Sequence, residues 1–290
     1  MDFRGGSILS VKFSRYSVNR EPGSLTHCHF GWVNFPRKSW VSFNYKSTTA
    51  KAFARRGKNL VIAARRTDNL KMLKKEILQE HTDLDVVIRS TDLSVPENAY
   101  QFYEGLKDYG IETWVNNAGF GNYGSVADQD LEKIGAMLHL NIEALTILSS
   151  LFVRDYKDAE GTQLINVSSC GGYTIVPTAV TYCAAKFYVS TFTEGLAWEL
   201  KEAGAKMKAK VLAPAATKTE FGMVANNVSE YDYDKSFGTY HTSRQMAGFL
   251  LELYDSEKVV GLVDRESFSF RLVDPLFPYA GNSAHNQQRM

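Results

Sequence analysis

From residue 59 to residue 263, short apolar runs alternate with longer stretches whose apolar residues recur every three or four positions. The run Leu60, Val61, Ile62, Ala63, Ala64 is unbroken, as in a strand covered on both faces. Residues 67–81 follow, with Leu70, Leu73, Ile77 and Leu78 on one side of an amphipathic helix. The same reading predicts strands at 84–88, 112–115, 164–167, 207–212 and 259–263. Helices are expected between them at 97–109, 128–153, 181–203 and 241–254. A helix at 49–56 precedes the first of these strands, and Gly57 stops it. Strand and helix in strict alternation predict an α/β fold: one Rossmann-like domain with a doubly wound parallel sheet.

Residues 1–48 do not share this pattern. They carry seven Lys or Arg against two acids, Asp2 and Glu21, many serines, and no sustained period. Basic, serine-rich, acid-poor text is that of a transit peptide. A disordered extension or a mistranslated leader is the preferred reading. The expected division is therefore an atypical segment at 1–48, the α/β domain at 49–265, and a C-terminal extension at 266–290.

In doubly wound sheets ligands bind beyond the carboxyl ends of the strands. The predicted strand ends carry small or polar residues: Arg65 and Arg66; Asp92; Asn116, Asn117, Ala118 and Gly119; Ser169; Pro214, Thr217 and Thr219. Tyr182 and Lys186 are four apart and share one helix face. A phenol beside an ammonium makes an acid/base unit, because positive charge favours the phenolate and draws its pKa toward neutrality. The pair alone carries little weight, since Tyr103/Lys107 and Tyr231/Lys235 repeat the spacing. Its setting, at a strand end thirteen residues after Ser169, is what singles it out.

Composition narrows the choice. Among 290 residues, 44% are hydrophobic and 22% charged, as in an ordinary globular protein. A net charge of +1 gives no electrostatic case for nucleic acid or an anionic membrane. Cys28, Cys170 and Cys183 have no metal-ligand spacing, so no metal is expected, and a reduced cytoplasmic protein fits better than a disulfide scaffold. The apolar stretch at 134–153 is interrupted by His139, Asn141 and Glu143, as in a buried helix rather than a membrane span.

Asn116-Asn117-Ala118-Gly119, Ser169 followed by Tyr182, Tyr182-x-x-x-Lys186 and Pro214-x-x-Thr217-x-Thr219 form an ordered set. In order and spacing it resembles the short-chain dehydrogenase/reductase family over residues 49–263. The resemblance implies an oxidoreductase interconverting a secondary alcohol and a carbonyl compound with a nicotinamide cofactor. It makes Tyr182 the general acid/base, Lys186 the partner of the nicotinamide ribose, Ser169 the holder of the substrate oxygen, and Asn141 the support of a proton relay. Asp92 would meet the adenine, and Thr219 with Pro214 to Thr217 the carboxamide end. Asn116 to Gly119 would brace the sheet centre and pass near the cofactor. NAD-preferring relatives carry an acid at the end of the second strand. Ala64-Arg65-Arg66 stands there instead, so NADP is expected over NAD. Small-molecule substrates and homo-oligomers are in keeping with the family.

One motif departs. The family's Thr-Gly-x-x-x-Gly-x-Gly loop should fall at 39–46, where Trp40, Asn44 and Lys46 replace the glycines, and Pro36, Arg37 and Lys38 stand in place of a leading strand. The first βα unit is thus expected to be disrupted. The alternative function is an impaired member of the family, a scaffold or partner-binding protein without a phosphate loop.

Overall fold

The computed structural model describes residues 7–12, 44–281 and 283. In chain order the elements are β1 (Ser7–Lys12), α1 (Asn44–Ala54), β2 (Asn59–Ala64), α2 (Thr67–Glu80), β3 (Val86–Ser90), α3 (Pro96–Glu104) and β4 (Ile111–Asn116). A broken long helix follows: α4 (Leu131–Leu138), a π-helical turn (His139–Ala144) and α5 (Leu145–Tyr156). Then come β5 (Gln163–Val167), α6 (Val180–Glu202), β6 (Lys208–Ala213), β7 (Thr217–Lys218), α7 (Phe221–Asn226) and α8 (Tyr233–Phe237). The chain continues through β8 (His241–Thr242), α9 (Ser243–Asp255), β9 (Val260–Val263) and β10 (Phe270–Val273).

The main sheet has the order β10-β9-β6-β5-β4-β1-β2-β3. Pairs β2·β3, β4·β5, β5·β6 and β6·β9 are parallel, each joined by a helical crossover. Two apolar layers flank the sheet. One joins α1, α2 and α9 to one face through Phe53, Leu70, Ile77 and Leu250. The other joins α3, α4 and α5 to the opposite face through Phe102, Met137, Leu148 and Phe152 around Trp114. This is the expected α/β architecture. Leu131–Tyr156 is long and apolar enough to cross a membrane by length and composition, but its Met137, Leu140, Ala144, Leu148 and Phe152 are core residues.

Several boundaries differ from the sequence expectation. The most consequential difference is β1, read as patternless text. It occupies the sheet centre between β2 and β4 and runs antiparallel to both. Its register pairs Ser7 with Ala64 and Lys12 with Asn59, so the chain leaves β1 at the edge opposite the carboxyl ends of β2 and β4. Helix α1 starts at Asn44, before residue 49, so 44–46 of the expected glycine loop form its first turn. Residues 39–43, with Trp40, lie outside the described residues, as do Pro36, Arg37 and Lys38.

The helix expected at 97–109 runs Pro96–Glu104: Pro96 takes its first position, Gly105 caps its end, and only a 3-10 turn follows. Helix α9 starts at Ser243 rather than at His241. There Thr242 and Gln245 form a reciprocal capping box that fixes the start. Nor does the domain stop at 265, since β10 adds a strand antiparallel to β9.

Candidate active site

A cavity of about 740 Å³ opens beyond the carboxyl ends of β2, β4, β5 and β6. Ser169, Tyr182 and Lys186 line it together. So do Asn117, Gly119, Pro214, Thr217 and Thr219, with Arg65 and Arg66 on the β2 side. Asp92, Asn116, Ala118 and Asn141 are not among its lining residues; Ala118 packs against the apolar layer around Trp114, and the other three hold polar partners.

The sheet centre explains Asn116. Its amide nitrogen donates to Ser149 Oγ and Asn166 Oδ1, both at 2.9 Å, and its oxygen accepts from Trp114 Nε1 at 2.8 Å. Asn166 passes the chain on to Thr193 Oγ1 on α6 at 2.9 Å. A closed set of buried amide bonds thus ties β4 to β5 and to the helix that carries Tyr182 and Lys186, where any unpaired member would be costly.

Asn141 sits in the π-helical turn and is fully buried. Its Nδ2 donates to Phe120 O at 2.9 Å, and its Oδ1 accepts from Phe120 N at 3.1 Å. A methyl added at Gly119 would lie 2.9 Å from Asn141 Oδ1 and 3.5 Å from Lys186 Nζ. Glycine there lets the Asn141 amide and the Lys186 amine converge on one point of backbone. The extra residue of the π turn re-aims one side chain without ending the helix, a device frequent at functional sites.

Lys186 is 5% exposed, and its Nζ donates to Val167 O at 2.9 Å. Burial alone pushes its ammonium down from 10.5 to about 8. Between those values the unfolded chain keeps a proton that the folded chain has released, so this group's contribution to stability rises with pH across the window. The thermal midpoint of the wild type should therefore climb relative to Lys186→Met as pH is raised from about 8 toward 10.5. A midpoint difference that stays constant with pH would refute this.

Tyr182 corrects the sequence expectation. Its pKa is held well above the usual phenol value, first by burial and then by Tyr123, while the Ser169 hydroxyl pulls the other way. Lys186 does not lower it in this arrangement. The Nζ lies 6.0 Å from the ring centroid, turned toward the Val167 carbonyl. Part of the cover over the phenol ring comes from the segment after β7. The Phe221 ring packs on Tyr182 with centroids 5.4 Å apart and on Tyr123 at 6.3 Å.

The two arginines are not unpartnered cations. Arg65 reaches Asp92 at 3.4 Å. Arg66 forms a forked pair with Glu220, at 3.2 Å to Oε1 and 2.6 Å to Oε2. Burial raises the Asp92 carboxyl, but two hydrogen bonds from Ser94 together with Arg65 outweigh it and hold it below its usual range. Asp92 therefore orients Arg65 rather than facing the cavity.

Sequence reasoning missed the support behind Ser169. In the turn that follows, Ser169 Oγ accepts from Gly171 N at 3.1 Å, and Gly172 nests against α6. Tyr173 ends the turn and donates to Glu194 Oε1 at 2.6 Å. Glu194 is only 1% exposed, and its Oε2 accepts from the backbone N–H of Leu276 at 2.6 Å and of Phe277 at 2.9 Å. Phe277 stacks on Tyr173 at 5.4 Å, and Tyr279 stacks on Trp198 at 5.1 Å. Phe277 and Tyr279 thus pack along α6 behind the serine turn. An acid on an otherwise apolar helix face was the available signal.

The family profile described as short chain dehydrogenase matches residues 47–230. The chicken (Gallus gallus) dehydrogenase/reductase SDR family member 11 is 26% identical over 210 residues, covering 70% of this chain and 81% of that protein. The 7beta-hydroxysteroid dehydrogenase of Clostridium sardiniense is 31% identical over 155 residues, covering 52% of this chain and 58% of that one. Among solved structures, a short-chain dehydrogenase from Sphingobium yanoikuyae in complex with NADPH superposes with a TM-score of 0.67 at 27% identity. That match covers 74% of this chain and 81% of the other. A sheet with this order, a site at these strand ends and a profile match over most of the domain agree: the chain belongs to the short-chain dehydrogenase/reductase family of oxidoreductases, which work with a nicotinamide cofactor.

Proposed function

We propose that the protein is an NADP-dependent oxidoreductase interconverting a secondary alcohol and its ketone. The observation that carries this reading is the placement of Ser169, Tyr182 and Lys186 in one cavity whose β2 side is lined by Arg65 and Arg66. The residues fit a nicotinamide dinucleotide with a 2′-phosphate, since Ala64 stands where a carboxylate would repel it and two guanidiniums follow. When bound, the nicotinamide would supply or accept the hydride. The protein's own residues do the rest. Ser169 Oγ holds the substrate oxygen, Tyr182 gives or takes its proton, and Lys186 holds the ribose. Asn141 supports the proton route from Lys186. Thr217, Thr219 and the backbone at Pro214 hold the carboxamide end, and Asn117 and Gly119 border the path between. The same reading makes the protein cytoplasmic, with Cys170 and Cys183 as thiols, and homo-oligomeric.

A second reading is an impaired family member that serves as a scaffold. It is favoured by the antiparallel direction of β1 and by the missing glycines at 39–46. One titration separates the two, following tryptophan fluorescence as NADPH or NADH is added. Under the first reading NADPH binds at least about 10-fold tighter than NADH, the value of one good charge-assisted phosphate contact. No saturable binding of either at millimolar concentration would favour the scaffold.

A further inference from the structure

Arg66 stands two residues past β2 at the start of α2, whereas Glu220 stands one residue before α7, 154 positions later. Both side chains line the cavity, so their forked ion pair reaches from its β2 side to the segment that covers Tyr182. That segment is packed as one piece. Tyr233 Oη accepts from Gly222 N at 2.9 Å and donates to Thr219 O at 3.2 Å. The Phe221 ring fills the space beside Gly121, where a methyl would lie 2.8 Å from Phe221 Cζ. Whatever moves Glu220 thus moves Phe221 on Tyr182.

We propose that Arg66 and Glu220 form a latch: paired, they hold Phe221 over Tyr182, and Arg66 releases α7 when it exchanges the carboxylate for a 2′-phosphate. The inference rests on the NADP reading above and assigns Glu220 a positioning role. Three physical points support it. The two side chains are 37% and 24% exposed, and pairs that open to solvent are weak enough to exchange. A guanidinium fork fits a phosphate as well as a carboxylate, and the phosphate carries more charge. A ligand shifts such an equilibrium only by binding one state better, and here the gain comes from Arg66 itself. Once Arg66 has turned to the phosphate, the added anion repels the Glu220 carboxylate and pushes it and α7 outward. Uncovering Tyr182 then removes the burial that holds its proton so tightly.

The test uses the full chain and two fragments, 2′-phosphoadenosine 5′-phosphate and adenosine 5′-phosphate. Amide hydrogen exchange over residues 219–226 reports the latch. In the wild type, the 2′-phosphorylated fragment should raise that exchange about 5-fold and the other fragment should not, the size expected for loss of one partly exposed pair. Glu220→Gln should show the raised exchange without any fragment, change little on adding either, and bind the 2′-phosphorylated fragment about 5-fold tighter than the wild type. If that fragment binds in an Arg66-dependent way but leaves the exchange unchanged, the latch is wrong and the NADP reading stands. If Arg66→Met binds both fragments as the wild type does, Arg66 recognises no 2′-phosphate and both fall. Thermal midpoints of the two variants, compared with the wild type, verify that each is folded.

Discussion

Replacing Tyr182 by phenylalanine is expected to cut turnover of a ketone by about 10²–10⁴-fold, the usual worth of a positioned general acid. The substitution removes one oxygen and keeps the ring, so the contacts with Phe221 at 5.4 Å and Tyr123 at 6.0 Å persist and the fold should not change. The loss should fall on kcat rather than on KM, because the proton is needed only as the bond to hydrogen forms. Single-turnover reduction by NADPH, compared between wild type and variant over a panel of ketones, measures it directly. A variant within about tenfold of wild type on substrates that the wild type turns over would take the proton-transfer role away from this residue.

The second large effect is structural and lies at Gly172. A methyl there would overlap Ser168 Oγ and come within 2.5 Å of Ser190 Oγ and 2.6 Å of the Lys186 carbonyl. All three atoms already form hydrogen bonds: Ser168 Oγ donates to Lys186 O at 2.9 Å. Ser168 and Ser190 hydroxyls also meet at 2.7 Å. The third atom is helix backbone and cannot step aside alone. Gly172→Ala should therefore cost about 3 kcal/mol, the upper end of overpacking penalties. For a domain of this size that is a fall in thermal midpoint of roughly 6–12 °C. Ser190→Ala in the same background should recover part of the loss by vacating one of the overlapped positions. Calorimetry of the two variants checks both statements, and an unchanged midpoint in Gly172→Ala would contradict the tight seat described here.

Much of this site could be read from the chain. The strand Asn59–Ala64 was expected residue for residue, because an unbroken apolar run between a glycine stop and two arginines leaves no alternative register. Ser169, Tyr182 and Lys186 were placed together by their position at a strand end and along one helix face. Other features had no local signal. Strand β1 holds only Ile8, Leu9 and Val11 as apolar residues, too short a run to stand out, and its nearest partner in sequence, Asn59 opposite Lys12, lies 47 residues away. The π turn at Asn141 leaves the hydrophobic period of its helix intact. The ion pairs of Arg65 and Arg66 depend on acids 27 and 154 positions away, so two basic residues are legible locally and their partners are not. The direction of the Tyr182 shift was misjudged for a similar reason. Proximity of Lys186 was legible, but the aromatic cover from Phe221 was not.

The arrangement behind Ser169 bears on how the protein is made. Glu194 joins Tyr173, at the end of the turn after Ser169, to the amides of Leu276 and Phe277. Synthesis runs from the amino end and domains begin to fold as they emerge. The sheet through β6 can therefore assemble while this carboxylate still lacks two of its three donors. Only when the chain has been extended past Phe277 does the buried acid gain its full set of bonds. The chemistry-bearing turn is thus fastened after the sheet, and a growing chain remains open on that side until Leu276 and Phe277 are in place.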